Sequence, residues 1–178
     1  MKNWATLTAV ILNLFQNLKS GTLKWIQGDN PLTGVGSIAE MKRFEILDHT
    51  ADIGIIVHGE NLKTLFENAG EAFFHLITDL RKVRRRIERR VNIGGESLDR
   101  LMVDWLSELL YLHDVENLLF KGFKVDSAGE DGLKATVKGE PFQEGVHVIK
   151  TEVKAVTYHQ IEVRQENGRW RAQVILDL

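Results

Sequence analysis

The chain has no cysteine among its 178 residues. Disulfides, thiolate catalysis and cysteine-based zinc sites are therefore excluded, and a reducing, cytoplasmic setting is the expectation. No stretch reaches the roughly 18 to 20 apolar residues that span a bilayer. Ala5–Phe15 has the look of a signal h-region behind Lys2, but Asn13 and Gln16 interrupt it and no small-x-small cleavage site follows. Phosphate loops of the Gly-x-x-x-x-Gly-Lys and Gly-x-Gly-x-x-Gly types are missing. So is a nucleophile-elbow serine. The six histidines form no His-x-x-x-His pair. His75 and His113 fall on helix signals and read as structural. A formal net charge of −2 argues against bulk binding to nucleic acid but leaves room for a local basic patch.

What is present is an ordinary globular composition, 43% hydrophobic and 27% charged. Residues 1–40 stand apart. They carry Trp4, Trp25 and a turn-rich run from Gly28 to Ser37, and Met41 opens a denser pattern. They read as a disordered extension or as the product of an upstream start codon. An amphipathic partner-binding helix is the third reading. Residues 41–178 have the length of one domain.

The Ile- and Val-rich stretch from Phe44 to His58 reads as a strand. Asn61 is placed to cap a helix running to about Thr78, with Leu62, Leu65, Phe66, Ala69, Phe73 and Leu76 as its apolar stripe. A short strand is expected over Ile87–Ile93. Ser97 caps a second helix with Leu98, Leu101, Met102, Trp105, Leu109 and Leu112 on one face. Asp131-Gly132 and Asn167-Gly168 mark late hairpins. The fold class is therefore α+β: two main helices packed on one face of a largely antiparallel mixed sheet of about seven strands.

The candidate working site joins the two ends of that domain. Asp48 and Asp52 are four apart, which places them on the same face of a regular strand, where they repel unless a cation or donor lies between them. Asp177-Leu178 ends a strand and adds a carboxylate beside the chain terminus. Such oxygens suit a hard divalent cation. The bland alternatives are a turn cap for Asp48, a solvated Asp52 and a frayed terminus. His49 and His159 stay candidates through their neighbours. Lys154 lies in the alternating segment Glu152–His159 and shares a strand face with Val156 and Tyr158. It reaches a phosphate or carboxylate, or else snorkels to the sheet edge. The run from Arg81 to Arg90 is the one strong charge cluster. Arg84, Arg85, Arg86 and Arg89 are candidate contacts to a partner or RNA, against the simpler reading of an edge strand guarded by charge.

Five stretches of residues 41–178, in order along the chain, resemble archease proteins. They are Asp48–Gly54, Leu65–Ala69, Leu112–Phe120, Glu152–His159 and Asp177-Leu178. The resemblance implies a protein cofactor rather than an enzyme. It would activate the GTP-dependent RNA-splicing ligase, promoting guanylylation of the ligase and multiple turnover in tRNA splicing and RNA repair. It implies a divalent cation, seen as calcium in the family with magnesium or manganese as alternatives, held by Asp52, Asp177 and Leu178. It also implicates Lys154. The ligase is the expected partner, RNA contact is expected to be indirect or weak, and no membrane is involved. Oligomeric state is left open. Two departures stand out. The family chain usually ends in Asp-Ile, whereas this one ends in Asp-Leu with the same α-carboxylate. The arginine-rich stretch is also more basic than the family pattern. Two other functions compete: a metal-dependent phosphoesterase using Asp48, Asp52 and Asp177 with His49 as general base, and a general chaperone offering a helix's apolar stripe to clients.

Overall fold

The computed structural model describes residues 43–48 and 52–178. The expectations for the extension at residues 1–40, for His49 and for the Asp48 side chain lie outside the described residues.

Seven strands and two helices follow in the order β1 (Phe44–Asp48), β2 (Asp52–Gly59), α1 (Leu62–Ile77), β3 (Ile87–Gly94), α2 (Leu98–Asp114), β4 (Leu118–Gly129), β5 (Gly132–Pro141), β6 (Ala155–Glu166) and β7 (Arg169–Asp177). The α+β reading holds, but the strands divide between two sheets. One has the order β1-β2-β7-β6, the other β3-β5-β4, and every pairing is antiparallel. Each helix touches both sheets: α1 meets β2 and β4, and α2 meets β6, β3 and β4.

The helices begin where their caps require. Asn61 has extended backbone and its side chain accepts from Thr64 N, while Ser97 does the same for Arg100 N. Each cap satisfies one of the amide donors left over in a first helical turn. The apolar stripes face inward, with Leu65, Phe66, Ala69, Phe73, Leu101, Met102, Trp105 and Leu109 fully buried. Trp105 Nε1–H donates to the Phe66 carbonyl at 3.0 Å and links the helices through the core. Gly70 lets α1 lie on β4, because a β-carbon there would meet the Phe123 ring at 2.6 Å. The buried stripe of α1 is thus spent on the core and is not available as a client surface.

Three local expectations change. Phe44–His58 is not one strand but an antiparallel hairpin, with Asp48 opposite Ile53 and Leu47 opposite Gly54. Asp48 and Asp52 therefore sit on neighbouring strands, and the same-strand argument for their sharing a face fails. The Asp131-Gly132 signal is displaced by one residue, since Glu130 and Asp131 form the turn and Gly132, at φ +135°, opens β5. Strand β6 starts at Ala155, which leaves Lys154 just outside it. Asn167 and Gly168 do form the last turn, at φ +52° and +77°, the two positive values of a tight hairpin.

Candidate functional site: a carboxylate pair at the chain terminus

Strands β2 and β7 run side by side at the centre of the four-stranded sheet. Their register sets Ile53 opposite Leu176 and Ile55 opposite Val174. All four are buried on the helix side. Side chains alternate along a strand, so the next positions face outward. There Asp52 lies directly opposite Asp177. Directly opposed residues of an antiparallel pair hold their β-carbons about 4.5–5.5 Å apart, and like charges so placed destabilise the sheet. Asp52 is half-buried and Asp177 exposed.

Three contacts fix the terminus beside this pair. Leu178 packs against the core. The Lys154 backbone N–H donates to the Asp177 carbonyl at 2.9 Å. The Lys154 ammonium donates to the Leu178 terminal oxygen at 2.7 Å. Ala155, opposite Asp177 on the other side, adds no charge and little bulk. Asp52, Asp177 and the α-carboxylate thus form a set of oxygens around one end of the sheet, with one ammonium at its rim. Among the described residues no group of three or more His, Asp or Glu side chains is placed to hold a metal ion. The donor set here is two side chains and a terminus. Hard oxygen donors of this kind, open to water for further ligands, fit a calcium-like cation.

Lys154 also borders an open groove of about 610 Å³, whose wall includes His113, Asp114 and Glu152. Sequence reasoning did not single out Asp114 or Glu152 as site residues. For Asp114 the signal lay in the Leu112–Phe120 motif, which ends α2 and opens β4, and for Glu152 in the Glu152–His159 motif. His113 keeps its place through Nδ1, 3.0 Å from the Leu118 carbonyl, and an edge-on contact with Phe74.

Other candidates fall elsewhere. His159 is exposed in the part of β6 where pairing with β7 breaks between Thr157 and Glu162. It is on the order of 10 Å along the strand from Ala155. Arg89 lies in β3, an edge strand of the other sheet, and Arg84, Arg85 and Arg86 lie in the segment leading into it. Arg84 N–H donates to Glu140 Oε1 at 2.7 Å, and Arg86 Nε lies 3.4 Å from Glu140 Oε2. Arg89 pairs with Glu116 at 3.1 Å. Glu140 is buried, and burial by itself raises a carboxyl pKa. The Arg84 amide, the His147 ring and the Arg86 guanidinium outweigh that and hold it below its ordinary value. This cluster fastens the start of the arginine run to β5 through the Arg84 backbone and the Arg86 guanidinium, while the Arg84 side chain itself is exposed.

Comparison with known proteins identifies the family and the fold. The Archease protein family matches residues 44–178. An archease from Methanosarcina mazei is 43% identical over 141 residues, covering 77% of this chain and 97% of its own. A solution structure of a Methanobacterium thermoautotrophicum protein is 47% identical, with a TM-score of 0.69, and covers 78% of this chain and 100% of its own. A Thermotoga maritima crystal structure, described as an archease and possible chaperone, has a TM-score of 0.54 at 21% identity. It covers 74% of this chain and 94% of its own, and shares the fold. The chain belongs to the archease family. Among the described residues no helix is long and apolar enough to cross a membrane.

Proposed function

We propose that this protein is an accessory factor rather than an enzyme, one that activates a GTP-dependent RNA-splicing ligase by promoting its guanylylation and turnover. The observation that carries the reading is the opposed Asp52–Asp177 pair beside a terminal carboxylate held by Lys154, in a chain of the archease family. Asp52, Asp177 and the Leu178 carboxylate would hold a divalent cation, calcium or one of its hard relatives. When bound, such an ion offsets the carboxylate charge and attracts phosphate oxygens.

The chain's own residues supply position. Strand pairing fixes both aspartates, and the core contact of Leu178 removes freedom from the last residue. Lys154 holds the α-carboxylate and presents a cation at the groove rim, placed for a phosphate or for a carboxylate of the partner. Charge arranged in advance spares reorganisation during phosphoryl or nucleotidyl transfer in a partner's site. The test is labelled-GTP transfer onto the ligase at limiting accessory protein. Asp177→Ala and Lys154→Ala are expected to lose stimulation while keeping native circular dichroism. Full stimulation by Asp177→Ala overturns the proposal.

A further inference from the structure

The outer face of the three-stranded sheet is strongly basic on a chain of net charge −2. Its inner positions, Val91, Leu133, Ala135, Val137 and Val125, are buried against the helices. By alternation the other positions face outward. Register sets Glu88 beside Lys138 and Gly122, Arg90 beside Thr136 and Lys124, and Asn92 beside Lys134 and Ser127. Arg85 completes the face. A β-carbon on Gly122 would meet Arg85 Nε at 2.9 Å and Lys138 Cβ at 3.4 Å, so the guanidinium lies across the glycine on this side. Arg85, Arg90, Lys124, Lys134 and Lys138 are all exposed. Against these five cations stand Glu88, 3.1 Å from Lys138, and Asp126, 3.5 Å from Lys124. Both are exposed pairs, which bind their partners weakly and release them readily. Arg85, Arg90 and Lys134 have no ion pair among the described residues.

We infer that this face is a docking platform for the phosphodiester backbone of RNA. Two features select that occupant. The cations spread over all three strands, so they match a repeated anion rather than one bound ion. The spaces between them are filled by Gly122, Thr136 and Ser127, with no aromatic or large apolar side chain. A protein interface draws its affinity from buried aromatic and apolar anchors, which are missing. Base-stacking readers of single strands need exposed aromatics, also missing, so contact is to the backbone and blind to sequence. Choosing RNA over DNA rests on the function proposed above; the charge complementarity does not. This surface is on the sheet that does not carry Asp52 and Asp177, and it differs from the expected arginine contacts in excluding Arg84, Arg86 and Arg89.

The test is fluorescence anisotropy of the full chain with a labelled RNA hairpin across a salt series, without ligase. Three to five phosphate contacts predict a dissociation constant around the micromolar range at low salt and a log–log salt slope of roughly −2 to −4. The triple variant Lys124→Ala, Lys134→Ala, Lys138→Ala should weaken binding at least about tenfold and flatten the slope by about 2 to 3. Arg164→Ala, on the other sheet, should leave binding unchanged. Circular dichroism establishes that each variant is folded. No RNA binding at low salt, or equal binding by the folded triple variant, overturns the inference. A poly-glutamate peptide that binds as tightly as the RNA also overturns it, in favour of an acidic protein partner. RNA is not a reactant in the transfer of GMP from GTP to a ligase, so the triple variant should stimulate that step normally. That assay separates failure of this face from failure of the ligase reading.

Discussion

Replacing Asp177 by asparagine should remove most of the protein's stabilisation by calcium. In the native chain two carboxylates face each other across β2 and β7, with the terminal carboxylate beside them. Without a cation, an opposed like-charged pair costs about 0.2–1 kcal/mol, and Lys154 relieves only the terminus. Asp177→Asn removes that repulsion and keeps the side-chain volume. In chelator, the variant should therefore be as stable as the native chain or slightly more so. Calcium reverses the order. A ligand at a hundred times its dissociation constant stabilises the native fold by about 2.7 kcal/mol. For a chain of 178 residues, 1 kcal/mol moves the melting temperature by about 2–4 °C. The native protein should then gain roughly 5–11 °C, and Asp177→Asn much less. Scanning calorimetry with calcium and with chelator reads all four values. An equal calcium shift in both proteins refutes the assignment of Asp177 as a ligand. A variant distinctly less stable than the native chain in chelator refutes the repulsion argument.

Extending the chain beyond Leu178, even by a short tag, moves the α-carboxylate away from Lys154. The calcium shift and the stimulation of guanylylation should both fall, as read by the same melting and GTP-transfer assays. Trp105→Ala removes the largest fully buried side chain among the described residues and its bond to Phe66, and should cost about 3–5 kcal/mol by denaturant titration. Glu140 has a depressed pKa in the folded state, so its contribution to stability is complete above its ordinary value of 4.5 and fades as pH falls through the lower folded value. The stability gap between the native chain and Glu140→Gln should accordingly be constant near neutral pH and close progressively below about pH 4.5, as followed by denaturation at stepped pH.

Local signals carried much of this fold. Asn61 and Ser97 announce their helices because capping is decided within three residues. Asn167-Gly168 announces its hairpin because both residues must take positive φ. The β1–β2 hairpin was hidden. Its connection, His49-Thr50-Ala51, has no glycine, proline or asparagine, so the Ile- and Val-rich stretch Phe44–His58 reads as one strand. The division into two sheets was equally hidden, since it depends on which distant strands pair. The same holds for the site. Asp52 meets Asp177, and Lys154 meets Leu178, through pairing across long stretches of chain. Their oxygen chemistry and the family resemblance both grouped Asp52 with Asp177-Leu178, and the strand register supplies the geometry that spacing lacked. The Arg81–Arg90 run was legible as charge but not as parts. The Arg84 amide and the Arg86 guanidinium meet a buried glutamate, whereas the Arg85 and Arg90 side chains share a face with lysines from two later strands.

The central claim is activation of an RNA ligase, and turnover tests it most directly. Limiting ligase is mixed with GTP, a divalent cation and RNA ends, with and without this protein, and joined product is counted per ligase. The account predicts a change from about one joining event per ligase to many, abolished by Asp177→Ala. An unchanged yield from a ligase shown competent with its own activator would contradict it.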